Sequence, residues 1–239
     1  MSVEPRHVAR IDLEAIRHNT RVLLTRAQGR PLLADVSADA YGHGAHRVAQ
    51  SAVEAGASVL GVTNPWDVDA LRRIEADRYV LPGLSRMSAS GDYVVAGAQL
   101  YGLGNDPQLK PAMTVSSTVV ATKTIAAGEG VSYGYTYRAS AATNLALVGI
   151  GYADGVDRSA GNLASVSLRG RARLVAGRVA MNALVLELGD DAAEVGDEAV
   201  FFGDAARGEP GVEDWAASLG RPASEVVAVF GNRLPRVYA

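Results

Sequence analysis

The first hydrophobic pattern in the chain is helical. Leu13, Ile16, Thr20 and Leu23 recur every three or four residues behind Asp12, which predicts a helix with that aspartate as its N-cap. A short apolar run over residues 32–36 then reads as a strand, stopped by the tight turn that Gly42 and Gly44 allow, and a helical pattern follows over 46–55. Residues 58–62 read as a second strand. Its helix is predicted over 65–75, with Pro65 in the first turn, where proline is tolerated. A third strand, 79–81, ends at Pro82-Gly83, and residues 85–91 are small and polar, a linker by composition. A fourth apolar stretch occupies 93–104. Strands alternating with helices predict a parallel sheet.

From Lys110 onward the pattern changes to short runs between turn residues. Strands are predicted over 114–122, 144–149, 165–168, 172–179, 184–188 and 199–202, with Arg169-Gly170 as a hairpin tip and Gly128-Glu129-Gly130 as another turn. Short helices are expected over 212–219 and 224–230. The expected fold class is therefore α/β plus β: an α/β domain over 1–105 and an all-β domain over 110–239. Four parallel strands cannot close on themselves, so the first domain would carry two open edges.

Composition narrows the function classes. The 239 residues are 48% hydrophobic and 21% charged, with a net charge of −3, which gives no footing for a nucleic-acid surface. The absence of cysteine excludes disulfides, thiolate zinc sites and cysteine nucleophiles. His43 and His46 lack a regularly spaced carboxylate, so no metal site is expected. No apolar run approaches the roughly 18–20 residues of a membrane helix, and residues 1–14 are charged rather than signal-like; a cytoplasmic protein is expected.

Several words in order carry a resemblance. Ala38-Asp39-Ala40-Tyr41-Gly42-His43-Gly44 resembles the fingerprint of the fold-type III alanine racemases, and the opening Ile11-Asp12-Leu13 with Asn19 is similar to theirs. Leu100-Tyr101-Gly102-Leu103 resembles their last barrel strand. Val131-Ser132-Tyr133-Gly134, Gly151-Tyr152-Ala153-Asp154-Gly155, Gly177-Arg178-Val179-Ala180-Met181-Asn182 and Leu234-Pro235-Arg236-Val237-Tyr238 resemble their carboxy-terminal β domain. The resemblance implies a barrel-like domain followed by a β domain, here with a shortened barrel of about four strand units where eight are needed.

It also implies pyridoxal phosphate (PLP) held as a Schiff base by a lysine just before the fingerprint. That position is Ser37, and the chain's two lysines, Lys110 and Lys123, lie outside the fingerprint. A hydroxyl cannot form a Schiff base. The places implied for a pyridine-contacting arginine and a phosphate-binding tyrosine hold Val95 and Ser224. No cofactor is therefore expected. The resemblance further implies that Tyr152 acts as a base reaching into a neighbouring subunit, with Arg158 near enough to favour its ionisation.

Alternation along the first barrel strand places Leu33, Asp35 and Ser37 on one face, directed into the barrel, which makes Asp35 a second acid/base candidate. Tyr152 and Asp35 are the expected catalytic pair; Ser37, Tyr41, Asp154, Met181, Asn182 and Arg158 are expected to bind a small molecule. The expected function is a PLP-independent isomerase, cyclase or dehydratase working as a homodimer. The competing expectation is a non-catalytic protein that binds a ligand or docks on a racemase-like subunit.

Overall fold

The computed structural model describes residues 7–63, 69, 71, 73, 74, 78–80 and 93–239. Most of the helix expected over 65–75, and the linker expected over 85–91, lie outside them. The chain forms two compact units, one of Met1–Arg10 with Thr114–Val237, the other of Ile11–Met113 with Tyr238–Ala239.

The second unit is the α/β one. Helix α1 (Leu13–Ala27) begins as its sequence requires, with Asp12 Oδ1 accepting from the Ala15 N–H at 2.9 Å. Its stripe of Leu13, Ile16, Thr20 and Leu23 is buried, and α1 packs on helix α2 (Ala45–Glu54). Strands β2 (Leu32–Asp35), β3 (Val59–Gly61), β4 (Arg78–Val80) and β5 (Val94–Ala96) form one parallel sheet in the order β4-β3-β2-β5. Leu32, Leu33 and Ala34 are wholly buried at its centre, as strands of a parallel sheet covered on both faces must be. The fourth apolar stretch differs from expectation. Only residues 94–96 are strand, and Ala98–Tyr101 is a 3₁₀ turn closed by Gly102 at φ 72°. A side chain at Gly102 would collide with the Lys110 carbonyl, so the chain must bend there.

The first unit is β-rich. Strand β1 (His7–Ile11) joins β6 (Met113–Ile125) in a sheet that also contains β10 (Ser165–Leu168), β11 (Arg171–Leu174), β13 (Glu198–Phe202) and β14 (Arg236–Tyr238), in the order β11-β10-β13-β6-β1-β14. β7 (Gly130–Val131) and β8 (Tyr137–Arg138) pair with each other, and the far half of β6 pairs instead with β9 (Thr143–Val148), which in turn pairs with β12 (Leu184–Gly189). A register shift between Val119 and Ala121 marks the change of direction. Arg169 and Gly170, at φ 52° and 72°, make the two-residue hairpin turn that the sequence predicts. Helices α3 (Val212–Ser218) and α4 (Ala223–Arg233) cover one end, where Phe201 meets Trp215 and Phe202 meets Phe230 edge to face at 5.2 and 5.5 Å. The strand expected over 172–179 stops at Leu174; Val175 makes only a single bridge, to Leu186.

Candidate functional site

In the α/β unit the fingerprint folds as one left-handed helical turn, Ser37–Tyr41. Ala38, Asp39, Ala40 and Tyr41 all take φ between 52° and 56°. Left-handed backbone costs an L-residue roughly 1–2 kcal/mol each, so four in succession persist only because their surroundings compel them. Asp39 Oδ1 accepts from the Ala45 N–H at 2.7 Å, starting α2. His43, fully buried, donates from Nδ1 to the carbonyls of Ala40 and Tyr41 at 3.0 and 3.1 Å. The rings of Tyr41 and His43 lie 4.8 and 4.5 Å from that of Tyr101.

Tyr101 is the hub of this arrangement. Its hydroxyl donates to the Asp35 carbonyl at 2.7 Å. Burial, then the charge of Asp35 and the neighbouring Tyr41 and Asp39, hold its phenol well above the usual tyrosine range, so it remains a donor.

The expectation that Asp35 and Ser37 share a strand face is corrected here. The strand ends at Asp35, Val36 leaves extended geometry (φ −105°, ψ 21°), and the alternation stops before Ser37. Asp35 Oδ1 instead accepts from the Ser37 N–H at 3.1 Å, and both residues are half-buried. Ser37 presents a hydroxyl where a Schiff base requires an amine. The two lysines lie outside the fingerprint: Lys110 lines a groove on α1 with His18 and Arg26, and Lys123 is exposed on β6. Val95 is 50% exposed on β5 and Ser224 lies in the first turn of α4. These residues do not fit a lysine-anchored PLP.

The remaining predicted residues, Tyr152, Asp154, Arg158, Met181 and Asn182, belong to the β-rich unit. Their loops are locked to one another. Tyr152 and Ala153 donate their N–H groups to the carbonyls of Ala180 and Met181, both at 3.0 Å, and a side chain at Gly151 would strike those same two carbonyls. Ser132 Oγ donates to the Arg178 carbonyl at 2.6 Å. Asn162 Oδ1 accepts from the Gly177 N–H at 2.7 Å, while its Nδ2 donates to Thr136. These bonds tie together the loops on which Tyr133, Tyr135, Tyr152 and Met181 are all exposed, with Asn182 exposed next to Met181. Arg158 stands 6.0 Å over the Tyr152 ring, as expected. Asp154, expected to bind ligand, is bonded within its loop and faces β1: Oδ2 accepts from the Gly151 N–H at 2.9 Å and Oδ1 lies 3.7 Å from His7 Nε2.

Tyr133 is the residue that sequence reasoning passed over. It is 69% exposed, on a turn where Ser132, Gly134 and Tyr135 all have positive φ. The Arg178 guanidinium borders that turn, within 3.3 Å of where a Gly134 side chain would begin. This strained turn presents Tyr133 and Tyr135 together, with Arg138 5.7 Å from the Tyr135 ring, and so makes Tyr133 a candidate alongside Tyr152. The run Val131-Ser132-Tyr133-Gly134 was the available cue in the sequence.

A parallel α/β unit with a strained turn at the end of a central strand, joined to a β-rich unit presenting tyrosine loops, defines the racemase-like class. Family models for the alanine racemase C-terminal and N-terminal domains match residues 112–238 and 11–100. The chain belongs to the alanine racemase family. The alanine racemase of Thermobifida fusca is 48% identical over 160 residues, covering 65% of this chain and 43% of that protein. That of Streptomyces coelicolor is 29% identical over 371 residues, an alignment longer than the chain itself, covering 96% of this chain and 95% of the relative. The solved structure of the Streptomyces coelicolor A3(2) alanine racemase superposes with a TM-score of 0.87 at 28% identity, covering 98% of each chain. The matched stretch thus spans about two fifths of the length of the first curated relatives. Among the described residues no helix is long and apolar enough to cross a membrane.

Proposed function

We propose that this protein transfers a proton on a small carbonyl- or imine-bearing molecule without a lysine-bound PLP, using the tyrosine loop face of its β-rich unit. The observation that carries the reading is Ser37 in the turn after β2, where a Schiff base requires a lysine, taken together with the intact, interlocked loops that present Tyr133. Tyr133 is the proton-transfer residue in this reading. Its hydroxyl is exposed on a turn of positive-φ residues that Arg178 borders, within reach of a bound molecule. A C–H already acidified by an adjacent carbonyl or imine suits the site, and the outcome is isomerisation, cyclisation or dehydration. Tyr152 and Asp35 keep secondary places as proton-transfer candidates, and Ser37, Tyr41, Arg158, Met181 and Asn182 as substrate contacts. Asp154, whose Oδ2 accepts from the Gly151 N–H, stays among those contacts through its remaining lone pairs.

The exposed Tyr133, Tyr135 and Met181 support a second element of the reading, that this face also meets a second copy of the chain. A variant of it, docking on a different racemase-family subunit without catalysis, shares the surface.

Incubation with PLP followed by borohydride tests the first claim: the protein stays colourless, no phosphopyridoxyl peptide forms, and alanine is not racemised. A reduced adduct on any side chain, together with alanine turnover, overturns it. Turnover of α-keto and imino substrates abolished by Tyr133→Phe supports the enzyme reading, and a chain that binds a racemase subunit yet turns over no substrate replaces it. Light scattering reads the assembly: twice the chain mass is expected, and a folded monomer at micromolar concentration refutes the homodimer.

A further inference from the structure

The β-rich unit contains a cavity of about 260 Å³ between the loop at residues 152–158 and the pair α3/α4. Its floor is apolar: Trp215, Val226 and Phe230 line it and are themselves buried. Its rim is charged, with Arg158, Arg221 and Arg233 against Asp157 and Glu225. The ion pairs leave a surplus. Arg221 lies 3.1 Å from Glu225 Oε1 and 3.5 Å from Asp157 Oδ2. Asp157 also accepts from the Ser159 N–H and hydroxyl; these bonds and Arg221 hold its carboxyl below the usual range, so it stays anionic. Both carboxylates are therefore directed to one arginine. Arg158 stacks over Tyr152, and Arg233 Nη1 donates to the carbonyls of Tyr152 and Ala153 at 3.3 Å. Neither forms an ion pair among the described residues.

We propose that this cavity binds a small organic anion with an apolar body, its carboxylate or phosphate held by Arg158 and Arg233 and its body lying against Trp215, Val229 and Phe230. Guanidinium groups present paired donors that match either anion, and a few convergent polar groups over an apolar floor are what a ligand site requires. The volume admits a body of about one ring. The surplus positive charge disfavours cations, and the buried aromatic floor favours planar groups over sugars. The site lies wholly within one unit; it shares Tyr152 and Arg158 with the residues of the proposed proton transfer, and its test reads anion binding through Arg233, which that reading does not use.

Calorimetric titration of the full chain with phenylacetate and with phenyl phosphate tests the assignment, with phenylacetamide as the neutral counterpart. One anion is expected to saturate a single site, and the amide to bind at least about tenfold more weakly, the scale of a charge-assisted hydrogen bond. Arg158→Gln and Arg233→Gln are each expected to weaken the anion by about tenfold, and Val229→Trp, filling the cavity mouth, to abolish binding. Because Arg233 also braces a loop, Arg233→Lys is included; it keeps the charge and is expected to recover part of the loss. The tighter of the two probes identifies the headgroup. Equal binding of acid and amide, insensitivity to both glutamine variants, or no binding of either anion at millimolar concentration overturns the proposal.

Discussion

The carboxylate of Asp35 accepts a hydrogen bond from the backbone N–H of Ser37, two residues further on. This contact turns the chain from the central strand into the left-handed fingerprint and gives Asp35 a structural task. Asp35→Ala is expected to lower stability by about 1–2 kcal/mol in urea denaturation, the cost of leaving a partly buried donor unpaired. Asp35→Asn, which keeps an acceptor oxygen, should lose under half of that. If Asp35 also moves a proton, Asp35→Asn abolishes turnover while retaining the fold.

The left-handed turn is built from four residues that are not glycine. Ala38 is exposed at φ 52°, so Ala38→Gly relieves backbone strain while removing little packing. Thermal denaturation should show a gain of up to about 1 kcal/mol, the balance between relieved strain and the greater freedom of glycine in the unfolded chain. A loss of stability would show that the surroundings do not force the conformation.

Gly151 lies under the loop that carries Tyr152, with the carbonyls of Ala180 and Met181 directly against it. Gly151→Ala is expected to cost at least about 1–3 kcal/mol by overpacking against backbone that cannot move aside. Ligand binding in the neighbouring cavity should weaken with it, because the 152–158 loop forms one wall. Calorimetry read beside the melting curve checks both effects.

Tyr137 gives an alkaline signature. Burial, and then the Glu187 carboxylate to which it is hydrogen bonded, push its phenol up to about 12. The folded state therefore holds a proton that the unfolded chain releases near pH 10. Stability from this group is fully present below about pH 10 and is lost as pH rises toward 12. Tyr137→Phe should flatten that part of the stability–pH curve, and ultraviolet titration should show one tyrosine fewer ionising late.

A covered tyrosine at the fingerprint provides the internal control. Tyr101 is fully buried against Asp35, Tyr41 and His43 and titrates well above the usual range. Tyr101→Phe keeps the ring stacking but removes the bond to the Asp35 carbonyl, and is expected to cost about 0.5–1.5 kcal/mol. A larger loss, with altered exchange of the amides at residues 38–42, would show that this one hydroxyl pins the strained turn.

What the sequence determined by itself was local. Asp12 followed by a helical stripe specified α1 and its start, and the apolar run before Gly42 specified β2. Arg169-Gly170 specified the tight hairpin, and words spread over the chain specified the family and its two kinds of unit. Each of these signals arises from a few neighbouring residues, so side-chain spacing and turn chemistry are enough to reveal it.

The tertiary structure decided what depends on distant partners. Alternation placed Ser37 on the face of Asp35, but the strand ends one step too early because Asp35 bonds to the Ser37 backbone and Tyr101, 66 residues away, anchors the Asp35 carbonyl. Tyr133 was legible only as part of a motif. Its presentation depends on Ser132 reaching Arg178 across 46 residues and on Asn162 bonding to Thr136 and Gly177. The anion cavity joins the loop at 152–158 to helices beyond residue 211, and the surplus of Arg158 and Arg233 appears only once Arg221 has taken both carboxylates. Hydrogen bonds and ion pairs of this range leave no period in the chain, because the pairing is set by packing and not by spacing.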